Sequence, residues 1–247
     1  MTLSGKHIIV TGGGTGVGAE TARTLAKAEA RVTIIGRHEE PLQAQNLPYQ
    51  LCDVTDAGAV VEAFNAARSQ QGPISVVIAN AGIADSVPFA QMATSQLQAM
   101  LAVNLIGVVN VWQAALADMK AAAWGRLIAI ASTAGLKGYP YVSAYCASKH
   151  GVIGLTRALS LELAATGITV NTICPSFIET SMLERSIANI IEKTGMSEDK
   201  ARAALYAKNP QKRFIQTDEI AGTVLWLCSE IARSVNGHAL SVSGGEI

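Results

Sequence analysis

The chain has no surplus of charge. Its 19 Lys and Arg match its 19 Asp and Glu, and only 15% of its 247 residues are charged. A neutral chain builds no cationic field for nucleic acid, and it puts little repulsion in the way of self-association. Cysteine is scarce as well. Cys52, Cys146, Cys174 and Cys228 form no CxxC pair and no cluster with His. That excludes a zinc module and a disulfide scaffold, and it predicts reduced, mostly buried thiols and no metal site. The opening "MTLSGKHIIVTGG" lacks the apolar core of a signal peptide, and no unbroken apolar run reaches the ~18 residues of a membrane span. These absences predict a soluble, cytoplasmic protein with neither membrane nor nucleic-acid partners. Linkers and internal repeats are missing too, so residues 1–247 are expected to form a single domain.

What the chain does hold is apolar bulk, 49% of its residues, enough for a large core. It is laid out in alternation. Short β-rich runs stand at "KHIIVTGG" (6–13), "RVTIIGR" (31–37), "YQLCDVTD" (49–56), "ISVVIANAG" (74–82), "GRLIAIAS" (125–132), "ITVNTICP" (168–175) and "HALSVSGG" (238–245). Helical patterns fall between them, the longest over 93–123, with Thr94 or Ser95 as its cap, and over 143–167; a last helix spans 216–232. Apolar strands alternating with helices predict a parallel sheet of about seven strands, covered on both faces. Residues 181–210 break the rhythm and are expected to form a helical lid over the substrate.

"TGGGTGVG", Thr11 to Gly18, joins the first strand to the first helix. Gly12, Gly16 and Gly18 permit a tight turn and close approach to a pyrophosphate, and the helix that follows aims its N-terminal amides at that anion. The fold class is therefore α/β, a Rossmann-like three-layer sandwich. About 20 positions on, where a carboxylate would hold the ribose of NAD, the second strand ends in Gly36 and Arg37. Arg37 suits a 2′-phosphate, which favours NADP(H) over NAD(H); Glu39 and Glu40 just beyond keep NAD(H) open. Asp53, after the third strand, is placed to bond an adenine amine. Asn80, Ala81 and Gly82 fit backbone lying along the cofactor.

Taken in order and spacing, "TGGGTGVG", Asp53, "NAG" at Asn80, Asn104, Ser132 and "YCASK" resemble the short-chain dehydrogenases/reductases over nearly the whole chain. That resemblance implies the catalytic roles. Tyr145 would be the general acid/base. Lys149, one helical turn on, would lower the phenol's pKa and hold the nicotinamide ribose. Ser132 would bond the substrate oxygen, and Asn104 would hold a water in a relay to Lys149. Cofactor contacts would come from Gly12, Thr15, Gly16, Val17, Gly18, Arg37, Asp53, Val54, Asn80, Ala81, Gly82, Tyr145, Lys149, Pro175, Ile178 and Thr180. His150 and Cys146 flank the pair but are expected to be structural. Ser176 departs from the glycine usual after Pro175, and Ser243 stands where an acidic residue is common. The family is usually tetrameric, so a homotetramer or homodimer is expected. The substrate would be a secondary alcohol or ketone. The apolar residues Ala134, Leu136, Tyr139, Tyr141 and Phe177 suit a 3-hydroxyacyl or 3-oxoacyl thioester, with cyclic alcohols, polyols and sugars as alternatives. Lys212 and Arg213 would meet a carrier phosphate or, more simply, form ion pairs. A catalytically silent, cofactor-binding regulatory protein is the reading from another class, and the retained Tyr145 and Lys149 speak against it.

Overall fold

β1 (His7–Thr11), β4 (Ile74–Ala79), β5 (Gly125–Ile130) and β6 (Ile168–Pro175) are almost unbroken runs of buried residues. A strand buried on both sides needs cover on both sides, which an alternating chain supplies as helices. The computed structural model, which describes residues 2–247, has that architecture. β2 (Arg31–Gly36) and β3 (Tyr49–Leu51) extend the sheet on one flank and β7 (Ala239–Val242) on the other, in the order β3-β2-β1-β4-β5-β6-β7, with every pair parallel. α3 (Ala57–Gln71), α5 (Gly107–Ala121) and α6 (Ser143–Glu162) cover one face, with Phe64, Trp112 and Val152 in its core. α1 (Gly16–Lys27) and α9 (Thr217–Leu227) cover the other, with Leu25, Ile220 and Val224 in a second core.

Several elements differ from the sequence expectation. β3 stops at Leu51 rather than Asp56, because Asp56 turns to cap α3 and accepts the Ala59 amide at 3.0 Å. A short α2 (Glu39–Gln43) follows Arg37; five residues are too few to show a helical period. The long helix expected over 93–123 is α4 (Thr94–Leu101), one π-helical turn (Ala102–Ile106) and then α5. Its cap is neither Thr94 nor Ser95: Ala93 holds the cap position just before the helix, and the Gln96 side chain accepts its amide at 2.9 Å. The run Thr94–Ala121 is long and apolar enough by composition to cross a membrane, yet it buries Val108, Val111, Trp112, Ala115 and Met119 in the core beneath the sheet. Residues 181–210 hold α7 (Ser181–Thr194) and α8 (Glu198–Tyr206), which with Phe214 pack a small core of their own from Leu183, Ile187 and Ala201. The last helix ends at Leu227, and a separate 3₁₀ turn covers Glu230–Ala232.

Strand order reverses between β1 and β4. The chain leaves β1 toward β2 on one side and enters β4 to build toward β7 on the other. The loops after these two strands therefore part, and the crevice between them is where this architecture binds ligands.

His7, at the start of β1, is fully buried. Its Nδ1 lies 2.7 Å from the Gly72 carbonyl, which can only accept, so Nδ1 carries the proton. Nε2 then accepts from the Thr33 hydroxyl at 3.0 Å. Burial holds the imidazole below its ordinary 6.5, so the folded protein keeps it neutral while the unfolded chain protonates near pH 6.5. This contribution to stability is complete above pH 6.5 and is lost as pH falls from there through the folded-state value. Denaturant midpoints taken between about pH 8 and pH 5 should fall more steeply for the wild type than for His7→Gln; parallel curves would remove His7 from the pH dependence.

Candidate active site

The crevice is held open by a stitch between the ends of β1 and β4. The Thr11 hydroxyl accepts the amides of Asn80 and Ala81, each at 3.0 Å, and the Asn80 side-chain amide donates back to the Thr11 carbonyl at 2.9 Å. The Asn80 side-chain amide N–H is therefore committed to the glycine loop, and its backbone is left to run along a ligand. Gly12 (φ +63°) has no room for a β-carbon: one would come within 2.9 Å of Asn80 Nδ2 and 3.1 Å of Ala81 Cα. A β-carbon on Gly18 would collide with the Gly12 carbonyl itself. Strand, turn and helix thus meet backbone to backbone, with Val17 buried among them. α1 begins without a side-chain cap and without an acidic residue in its first turn, so its amides and positive end remain available to an anion. These residues fit a dinucleotide pyrophosphate.

From this loop a cleft runs past Thr15, Arg37, Asp53 and Val54 on one side and Ala81 and Gly82 on the other. His38, which the motif reading passed over, lines it too. Asp53 accepts the amide and the hydroxyl of Thr55, both at 2.9 Å, and lies 3.6 Å from Arg37. The Thr55 amide and hydroxyl, with Arg37 adding its charge, hold the Asp53 carboxyl below its ordinary range despite partial burial. Glu39 points elsewhere: its carboxylate accepts the Tyr49 hydroxyl at 2.8 Å. Across the cleft, Thr180 lies against Gly16, and its segment is pinned by pairing of Phe177 and Glu179 with Ile215. Pro175 closes β6, and Ile178 pairs with Ile215.

Ser132 follows β5, and its hydroxyl accepts the Ala134 amide at 3.1 Å. α6 lies directly on the turn that follows, because Gly135 has no side chain: a β-carbon there would come within 2.7 Å of the Lys149 carbonyl. This contact brings the first turns of α6, with Tyr145 and Lys149, up to Ser132. Burial pushes the Tyr145 phenol up to about 12, against the pull of its hydrogen bond with Ser132. Burial likewise brings the Lys149 ammonium down to about 8. Its Nζ donates to the Ile130 carbonyl at 2.9 Å and sits 5.6 Å from the Tyr145 ring centre. Desolvation therefore outweighs the lowering of the phenol expected from Lys149.

Asn104 lies within the π-helical turn, and its side chain is fully engaged. Oδ1 accepts the Ile83 amide and Nδ2 donates to the Ile83 carbonyl, both at 2.9 Å, with Ser148 Oγ a further 3.1 Å contact. Asn104 and Lys149 flank one point, since a β-carbon on Gly82 would lie 3.2 Å from Asn104 Oδ1 and 3.7 Å from Lys149 Nζ. The side chain thus positions the backbone after β4.

The remaining expectations divide. Arg213 forms a two-pronged pair with Glu219 at 2.6 and 2.8 Å, and Lys212 donates to the Ala207 carbonyl at 2.7 Å, so both serve the fold. The His150 ring nitrogen meets the Cys146 carbonyl one turn back, at 2.9 Å. All four cysteines are unpaired, and Cys52, Cys174 and Cys228 are buried. Of the apolar wall, Ala134 is buried, Leu136 packs on the main core and Phe177 on the α7–α8 cluster, while Tyr141 is 65% exposed. Ser176 donates to Glu246, and Ser243 pairs with Ser241 at 2.8 Å.

Comparison with known proteins agrees with this geometry. A D-beta-hydroxybutyrate dehydrogenase of Rhizobium meliloti (strain 1021) is 31% identical over 252 residues, covering 97% of this chain and 98% of that one. The 3-oxoacyl-[acyl-carrier-protein] reductase MabA of Mycobacterium avium is 32% identical over 240 residues, covering 97% and 89%. The crystal structure of an actinorhodin polyketide ketoreductase with NADPH superposes with a TM-score of 0.95 at 34% identity, covering 100% and 99% of the two chains. The family model described as short chain dehydrogenase matches residues 6–190. On these grounds the chain is an oxidoreductase and belongs to the short-chain dehydrogenase family.

Proposed function

We propose that the protein interconverts 3-oxoacyl and 3-hydroxyacyl thioesters with NADP(H) as its preferred cofactor. The observation that carries this reading is the convergence of Ser132, Tyr145 and Lys149, with Lys149 Nζ beside Gly82, which lines the same cleft as Arg37 and His38. Relatives named for 3-oxoacyl, ketoacyl and hydroxybutyrate chemistry support the substrate class, and the NADPH-bound ketoreductase supports the cofactor.

The nicotinamide, when bound, supplies the hydride. The chain supplies the rest. Ser132 donates to the substrate carbonyl and holds it beside Tyr145. With its pKa raised to about 12, the Tyr145 hydroxyl is fully protonated at neutral pH, which suits it to give a proton to the oxygen as negative charge develops there. Lys149 holds the ribose and places its positive charge beside the phenolate left behind. Gly12, Thr15, Gly16, Val17 and Gly18 would cradle the pyrophosphate, Asp53 and Val54 would border the adenine, and Asn80, Ala81 and Gly82 would offer backbone. Pro175, Ile178 and Thr180 would hold the carboxamide. Arg37 would exchange Asp53 for the stronger charge of a 2′-phosphate. α7 and α8 act as the lid. The outward face of the α4–α5 run, where Ile106 is 50% exposed, supports assembly into a homotetramer through this helix. The one continuous sheet with a core on each face also supports a single catalytic domain.

Tyr145→Phe should lower kcat by roughly 10²–10⁴-fold while NADPH affinity, followed by fluorescence quenching, stays near the wild-type value; undiminished turnover would sink the mechanism. The Lys149 charge is present below its value of about 8 and lost above it. Reduction measured across about pH 7 to 9.5 should therefore decline on the alkaline side, and a level profile would count against Lys149. Arg37→Asp should move the ratio of kcat/KM for NADPH over NADH at least about tenfold toward NADH. An unmoved ratio would dismiss Arg37 as the selector.

A further inference from the structure

The residue second from the end carries a carboxylate that the chain has buried. The side chain of Glu246 is only 2% exposed, although Gly244 and Gly245 lead into it and Ile247, the last residue, is largely exposed. A buried carboxylate persists only where donors satisfy it, and Glu246 gathers three. Lys137 Nζ lies 2.8 Å from Oε1, the Tyr139 hydroxyl donates to the same oxygen at 2.6 Å, and the Ser176 hydroxyl donates to Oε2. These three hydrogen bonds, together with the Lys137 charge, hold the carboxyl below its ordinary range although burial opposes them.

The donors come from the segments that surround the reacting groups. Lys137 and Tyr139 lie between Ser132 and α6, and the Tyr139 hydroxyl also meets Thr133 Oγ1 at 2.8 Å, next to Ser132 itself. Ser176 opens the segment that runs through Ile178 to Thr180. It is the position where the family's usual glycine is absent, and a glycine has no hydroxyl to offer. The end of α8 joins from the third side: Lys208 sits 5.0 Å from the Tyr139 ring centre, and a β-carbon on Gly244 would collide with the buried Asn209 side chain. With its hydroxyl committed to Glu246 and Thr133, Tyr139 has no donor left for a substrate, and only its ring can serve as wall.

We propose that Glu246 is the positioning residue of the substrate pocket, binding the 133–139 turn, the segment after β6 and the foot of the lid into one rigid rim. It touches neither cofactor nor substrate and acts through Tyr139 and Ser176. The assignment rests on the reading above that these segments border the substrate.

The test compares wild type with Glu246→Gln, Tyr139→Phe and Ser176→Ala, each checked first for an intact thermal transition. Acetoacetyl-coenzyme A and cyclohexanone are the substrate probes, and hydrogen exchange follows segments 133–141 and 175–180. In Glu246→Gln, KM for the accepted ketone should rise about tenfold with kcat changed far less, and exchange should quicken in both segments. Tyr139→Phe and Ser176→Ala should each give part of the effect. Adding either to Glu246→Gln should add little more, because the pairs share one network. A wild-type KM in Glu246→Gln overturns the proposal even if the melting temperature falls, since a purely structural anchor gives that result. If the wild type reduces neither probe, the substrate reading fails by itself and exchange decides: quickening in both segments upholds the positioning role, and unchanged exchange in either overturns it.

Discussion

The site depends first on the stitch that joins the ends of β1 and β4. Where strand order reverses, two loops diverge, and nothing in a parallel sheet holds their first residues together. Thr11 and Asn80 do so with three hydrogen bonds, at the one place where backbone must stay open to a ligand. Because those bonds commit the Asn80 side-chain N–H and the Thr11 hydroxyl to each other's loops, the turn is shaped by the chain itself. Gly12 and Gly18 follow from the same geometry, since the stitch brings Asn80 so close that neither position can carry a side chain. Preorganised donors of this kind lower the ordering cost of binding.

The catalytic end is built on a second close approach. α6 presses on the turn after β5 at Gly135, and Lys149 reaches past it to the Ile130 carbonyl. The two contacts carry Tyr145 up to Ser132. They also explain the opposed pKa shifts. A phenol and an ammonium both set back from water are driven toward neutrality, so Tyr145 keeps its proton and Lys149 gives up its charge more readily than a free lysine.

What the sequence disclosed was local or periodic. The buried strands, the glycine loop at Gly12 and the Tyr145–Lys149 spacing all lie within a few residues or repeat at a fixed interval, and the structure sets them where that pattern implied. What it concealed was long-range or too short to repeat. Glu246 meets Lys137 and Tyr139 from the other end of the chain, and one carboxylate in a polar tail carries no periodic mark. α2 is too brief to show its period, so His38 beside it went unread as part of the cleft. Asn104 was visible as a residue, but its bonding was not, because the π-helical turn that aims it depends on packing rather than on propensity.

That turn reaches beyond Asn104. It holds one residue more than a regular turn, so the helical phase of α5 is set back relative to α4. α4 packs on α6 while α5 presents Trp112 and Met119 to the sheet. The extra residue behaves as an insertion absorbed without a loop. Removing any single residue from this stretch would restore a regular helix and swing one half about a third of a turn. The packing of the two halves is therefore tied to the length of this stretch as well as to its side chains.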